Sequence, residues 1–260
     1  GSLMVFPNYG QLVMTGDLHG HRRNFQKLQR FCDLEHFAPR HVILHELIHE
    51  ELPSFSAPDT SYELLIDAAK WKCEFPDQVH FLQSNHELAQ LTHYPIAKAG
   101  AAVVDRFDQA VAKAYGADRA ADVLSALDEF IASFPLAAVT ETGVWMSHSL
   151  PDVYDMDEFD TAVFKRVLTR EELQNNRTVF HLVWGRQHTL PHIERLAQLL
   201  GVDVFITGHQ PQEMGYDFQF GRLIILASDH NHGSFLPFDL AKRHTAEQLI
   251  RNIRKFVAVA

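Results

Sequence analysis

The residues able to do chemistry sit in short polar turns, each ending an apolar run. Asp17 and His19 follow Leu12-Val13-Met14, Asn85 and His86 follow Val79-His80-Phe81-Leu82, His148 follows Val144-Trp145-Met146-Ser147, and His209 follows Val204-Phe205-Ile206-Thr207. A fifth polar stretch, His45-Glu46-Leu47-Ile48-His49-Glu50-Glu51, follows His41-Val42-Ile43-Leu44. Carboxylate, imidazole and amide oxygen together form a metal-ligand list. They suit harder or borderline divalent ions such as Mn, Fe or Zn, and without cysteine ligands they do not describe a structural zinc site. Five or six ligands exceed one tetrahedral ion. Two ions roughly 3.5 to 4 Å apart, sharing one carboxylate, account for the number and create a bridging hydroxide as nucleophile.

These turns require strand and helix units that repeat. Phe25, Leu28 and Phe31 recur at helical spacing after the first turn, and glycines bracket the turn itself. Thr60-Ser61-Tyr62-Glu63 has the pattern of a capping box and opens a helix through about Lys72, after a loop containing Pro53, Ser54, Ser56, Ala57 and Pro58. Residues 99–131 turn helical, with Gly116 separating two helices, and read as a helical insertion over about 99–132. Residues 136–140 and 144–147 form a hairpin, and Asp152 to Asp160 is a solvated acidic face. Phe180 to Trp184 reads as another strand-like run leading to Arg186, followed by a helix with Leu190, Ile193, Leu196, Ala197 and Leu200 inward. Arg222 to Ala227 is the last strong strand. Thr245 and Gln248 cap a closing helix whose apolar face is Leu249, Ile250, Ile253, Phe256 and Val257. Gly1-Ser2-Leu3 reads as a remnant before Met4. With no repeat and no low-complexity linker, residues 4–260 read as one α/β domain.

Composition narrows the function classes. A formal net charge of -10 supplies no basic field for nucleic acid or anionic membrane. No apolar stretch reaches the length of a membrane helix, and two cysteines without a framework indicate a reducing cytoplasm. The letters His45-Glu46-Leu47-Ile48-His49 also spell the zincin helix, in which two imidazoles share a face around zinc and the glutamate is the base. That reading requires residues 41–51 to be helical and leaves the four other turns without a role.

In order and spelling the turns resemble the metallophosphoesterases, and more closely the PPP-type serine/threonine protein phosphatases and their bacterial relatives. That signature runs GDxHG, GDxxDRG, GNHE, an HGG-type turn and a final AH or GH. Its counterparts here are Gly16-Asp17-Leu18-His19-Gly20, the stretch from His45 to Glu51, Ser84-Asn85-His86-Glu87, His148-Ser149-Leu150-Pro151-Asp152 and Gly208-His209, while Ser228-Asp229-His230-Asn231-His232 is similar to the family's SAPNY loop. The resemblance spans most of residues 12–240. It implies a four-layer sandwich of two mixed β-sheets flanked by helices. It also implies that Asp17 and His19 bind one metal, that Asn85, His148 and His209 bind the other, and that Glu46 bridges them. His86 becomes the general acid, with Glu87 or Asp229 as its carboxylate partner.

Three positions depart from the pattern. Glu46 stands where the family has Asp, Glu50 replaces the phosphate-clamping arginine, and His49 replaces the Asp that pairs with the acid. Arg186 ranks first as a replacement clamp, then Arg22 or Arg23, with His230 at the rim. The expected activity is hydrolysis of a phosphomonoester, with a phosphoserine or phosphothreonine protein as leading substrate. The alternatives are a small-molecule or dinucleoside polyphosphate hydrolase and a degenerate binding protein without turnover.

Overall fold

The computed structural model describes residues 2–51, 57–98 and 101–259. Pro53, Ser54 and Ser56 of the expected loop, and residues 99 and 100 at the expected start of the helical insertion, lie outside them. The first half of the chain runs β1 (Leu3–Phe6), β2 (Gln11–Asp17), α1 (Arg22–Cys32), β3 (Arg40–His45), α2 (Ser61–Glu74), β4 (Val79–Leu82) and α3 (Asn85–Thr92). The two-residue strands β5 (Ala97–Lys98) and β6 (Ala101–Ala102) then lead into α4 (Val103–Tyr115) and α5 (Ala117–Ala132). The second half runs β7 (Ala137–Thr140), β8 (Val144–Ser147), α6 (Arg170–Asn175), α7 (Arg177–Trp184), α8 (Leu190–Leu200), β9 (Val204–Thr207), β10 (Tyr216–Gln219), β11 (Leu223–Leu226), β12 (Ser234–Asp239), α9 (Ala246–Asn252) and β13 (Arg254–Lys255).

Two mixed sheets form, ordered β1-β7-β8-β9-β11-β10 and β13-β12-β2-β3-β4. Alternation along each strand explains their near-continuous apolar runs, because both faces are covered. Leu12, Met14 and Ile43 of one sheet meet Met146, Ile206, Ile224 and Leu226 of the other in the layer between the sheets. Val13, Val42 and Leu44 face outward beneath Phe25 and Leu28 of α1. Gly16 marks where the sheets touch. A Cβ there would overlap the Leu226 carbonyl, and next to it Asp17 bridges to Ala227 of the opposite sheet.

Several elements differ from expectation. The run from Phe180 to Trp184 lies in helix α7, not a strand, and α7 buries Val179, Leu182 and Val183. Asn85 opens a helix in place of a simple turn, with the Ser84 hydroxyl capping it through the Glu87 N–H. Thr60 precedes α2 without forming a capping box, because its hydroxyl donates to Glu50 instead (2.9 Å). The closing helix keeps its expected box at Thr245 and Gln248 but stops at Asn252, and Phe256 and Val257 lie in a 3-10 turn beyond it. Leu3 pairs with Ala137 as the first residue of an edge strand. No helix among the described residues is long and apolar enough to cross a membrane.

His80 gives the fold an acid-sensitive point remote from the polar turns. It packs edge-on against Phe6 and shares a 3.2 Å hydrogen bond with His41. Burial, followed by the charges of Lys72 and His41, lowers its pKa to about 3. A base with a depressed folded pKa binds fewer protons folded than unfolded, so this contribution is intact above the unfolded value near 6.5 and is lost as pH falls toward 3. Denaturant titrations of His80→Gln at stepped pH should therefore show a shallower loss of stability on acidification, by at most about 1.4 kcal/mol per pH unit. An unchanged slope would place the sensitivity elsewhere.

Candidate metal centre

Backbone hydrogen bonds zip the first two polar loops together at the ends of β2 and β3. Leu18 and His19 N–H groups donate to the Glu46 carbonyl (2.8 and 2.9 Å), and Gly20 N–H donates to Leu47 (2.8 Å). To make this pairing, His19 and Glu46 adopt left-handed backbone (φ 39° and 40°), as do His49 (61°) and His209 (69°). Such conformations are unfavourable for non-glycine residues and persist where surrounding structure over-determines them. Residues 45–51 contain no helix, so the zincin reading fails on local geometry.

Three of the expected ligand atoms converge closely. Asn85 Oδ1 lies 2.5 Å from His148 Nε2 and 3.1 Å from His209 Nδ1, and the two imidazole nitrogens are 3.0 Å apart. Glu46 spans from this group to the other expected half. Its Oε1 stands 3.6 Å from His148 Nε2, while its Oε2 stands 3.2 Å from His19 Nε2. Glu46 reaches both from a left-handed backbone (φ 40°). Asp17 accepts the His209 backbone N–H on Oδ2 (2.8 Å) and leaves Oδ1 buried without a hydrogen-bond partner.

His45, which the sequence singles out only through the zincin spelling, is fully buried beside both Asp17 and His148. Its Nε2 is 2.9 Å from His148 Nδ1, and its Nδ1, which also lacks a hydrogen-bond partner, is 3.8 Å from Asp17 Oδ1. Asp17, His45 and His148 thus offer one cation-sized donor group, and His19, Glu46 and His86 a second. The residues fit a divalent ion on electrostatic grounds as well. Burial keeps His45 at a pKa of about 3 and His148 well below the usual histidine range, so both rings are neutral and carry lone pairs. Burial first, and then the Glu46 charge, holds the Asp17 carboxyl well above its ordinary range. A buried carboxyl crowded by a second carboxylate is a group that a cation would stabilise in its ionised form.

The other expected site residues are distributed less simply. The Glu87 carboxylate accepts from the Leu47 N–H (2.6 Å) and from the Ser84 hydroxyl, so it clamps the second loop onto α3. The ring set against His86 is His49, Nδ1 to Nδ1 at 2.9 Å. Asp229 lines a cleft of about 310 Å3 with His19, His21, Arg23 and Glu51. Arg22 also lines it, but its guanidinium is held by Glu63 and Asp67. Arg23 carries no such pairing into α2. His230 belongs to the adjoining loop, where its Nε2 meets the Gln212 carbonyl (2.9 Å). Glu50 accepts from the Thr60 N–H and hydroxyl, which turns its carboxylate toward the start of α2. Arg186 is exposed, with its backbone N–H on Asp152 (2.5 Å), and its charge is the second cause, after burial, that lowers His209 to about 3.

A two-sheet sandwich with carboxylates, imidazoles and an amide gathered at its strand ends is the architecture of a phosphoester hydrolase, and the family model for calcineurin-like phosphoesterases matches residues 11–213. The chain belongs to that family and is a phosphoesterase. Among solved structures it is similar to a protein serine/threonine phosphatase from Saccharomyces cerevisiae with similarity to human phosphatase PP5. That likeness has a TM-score of 0.73 at 14% identity and covers 100% of this chain and 84% of the other. It is also similar to a cold-active protein-tyrosine phosphatase from the psychrophile Shewanella, with a TM-score of 0.62 at 15% identity, covering 93% and 78%. At these identities the likeness shows the fold, which is the expected two-sheet sandwich. A comparison with curated protein sequences gives no match.

Proposed function

We propose that residues 4–260 act as one catalytic domain, a phosphomonoesterase of the protein-phosphatase type that uses two divalent ions. The observation that carries this reading is the placement of Glu46, which turns one carboxylate oxygen toward His19 and the other toward His148. Asp17 and His19 would hold one ion and Asn85, His148 and His209 the other, with His45 beside Asp17 and His148 as a further donor and Glu46 reaching both halves. Bound there, the ions supply Lewis acidity to the phosphoryl oxygens and acidify a shared water. His86, edge-on to His19 at 4.9 Å between ring centroids, delivers the proton that the departing alkoxide needs. Arg186 beside His209 takes the place of the missing clamp on the substrate phosphate. The leading substrates are phosphorylated serine or threonine in proteins.

Metal analysis combined with turnover of an aryl phosphate and of phosphoserine, phosphothreonine and phosphotyrosine peptides tests this reading. The expected result is about two ions per chain. His86→Ala should lower kcat by roughly 10²–10⁴-fold while retaining metal, and Arg186→Ala should raise KM more than it lowers kcat. Full metal occupancy with no turnover of any phosphoester would replace the enzyme by a binding protein. Preference for free nucleotides or dinucleoside polyphosphates over every peptide would shift the substrate class to small molecules.

A further inference from the structure

A line of polar groups leads from His86 away from the cleft into the helical insertion. His49, fully buried, places Nδ1 against His86 Nδ1 (2.9 Å) and Nε2 against Gln90 Oε1 (3.0 Å), and Gln90 Nε2 meets Asp108 Oδ1 at 2.7 Å. Gln90 comes from α3 and Asp108 from α4, so the line crosses from the strand-end turns to the insertion.

The direction of every hydrogen bond follows from its far end. A carboxylate only accepts, so Gln90 must present its amide N–H groups to Asp108 and its carbonyl oxygen to His49. The carbonyl in turn requires a proton on His49 Nε2, which leaves a lone pair on Nδ1 of the neutral ring. That lone pair fixes the proton of His86 on Nδ1. In neutral His86 the other ring nitrogen, Nε2, is then bare, and the ring stands edge-on to His19 with centroids 4.9 Å apart.

We infer that Gln90 and Asp108 are positioning residues that set the tautomer of His86 through His49, so that the carboxylate absent at position 49 is supplied at position 108. The substitution of His for a carboxylate beside the acid is thereby compensated at a distance of two further hydrogen bonds. The helical insertion acquires a role in the chemistry without touching substrate.

Nitrogen-15 NMR of the full chain, with selectively labelled histidine, in alkaline buffer with chelator and again with zinc bound, reads the tautomer directly. Wild type is expected to show His86 protonated at Nδ1 and bare at Nε2 in the metal-free chain. Asp108→Asn lets the Gln90 amide turn over, which reverses the line and moves the His86 proton to Nε2; Asp108→Glu should restore the original pattern. Gln90→Leu should give a mixture of tautomers. The kinetic arm rests on the proposed phosphomonoesterase activity: Asp108→Asn should lower kcat about tenfold, within the range of outer-shell substitutions, with KM little changed. The spectroscopic arm needs no turnover, so the two readings fail separately. Wild type carrying its proton on Nε2 would overturn the inference, and needs no variant to be measured. An identical tautomer in wild type, Asp108→Asn and Gln90→Leu would overturn it as well.

Discussion

Glu46→Gln is expected to reduce bound metal from the proposed two ions to about one and to lower kcat on the order of 10²–10³-fold, the loss typical of removing one preorganised electrostatic contact. The substitution preserves the shape of the side chain and so separates charge from packing. One end of glutamine is an amide nitrogen, a donor rather than a ligand, so a side chain that now reaches His19 at 3.2 Å and His148 at 3.6 Å with two oxygens can serve only one half. The backbone N–H of His86, which approaches Oε1 at 3.4 Å, keeps a partner in the variant if the amide oxygen turns that way. Glu46→Asp, the residue of the family pattern, should also fail to span both halves, because the left-handed turn at position 46 is set for the longer side chain. Metal analysis by mass spectrometry and aryl phosphate turnover decide the matter. Two ions and near wild-type kcat in Glu46→Gln would remove Glu46 from the bridge.

Gly208→Ala is expected to abolish metal at the Asp17 half and to lower activity at least 10-fold, while far-ultraviolet circular dichroism stays unchanged. The added Cβ would overlap Asp17 Oδ1 and come within 2.8 Å of His45 Cε1 and 2.9 Å of Nδ1, atoms closer than such contacts allow. Gly208 sits at ordinary backbone angles, so the substitution acts through space rather than through strain. Its N–H on the His148 carbonyl (3.0 Å) survives the change. The methyl group thus occupies the room that an ion coordinated by Asp17 would need. Retention of both ions in Gly208→Ala would show that the Asp17 half lies elsewhere than beside His45.

The strand-end turns were legible in the sequence because each follows an apolar run, and alternation along a strand delivers the first polar residues after it to one edge. That is why Asp17, His19, Asn85, His148 and His209 could be named together and why the structure gathers them. His45, Gln90 and Asp108 carried no comparable signal. His45 ends β3 as Asp17 ends β2, but its pairing with Asp17 follows from the register shift between the two strands, which the sequence does not spell out. Gln90 meets His49 across 41 residues and Asp108 meets Gln90 across 18, both through helix packing that no local pattern encodes. Residues 180–184 misled because a short run with four apolar residues is as consistent with a buried helix face as with a strand. β12 escaped notice because Pro237 speaks against a strand. The sheet tolerates it because β13 pairs only with Ser234 and Phe235, leaving the neighbouring side of β12 open at Pro237.

The four left-handed residues at the polar loops, His19, Glu46, His49 and His209, also bear on any attempt to stabilise this protein by design. Glycine or asparagine at such angles relieves unfavourable backbone energy, so a search guided by folding free energy alone would choose these positions early. Each gain would delete a donor or acceptor of the centre. Thermal robustness is therefore opposed to metal capture at His19, Glu46 and His209 and to the hydrogen bond behind His86 at His49, so an engineered variant selected for melting temperature alone would drift toward an inert scaffold that keeps its sandwich fold.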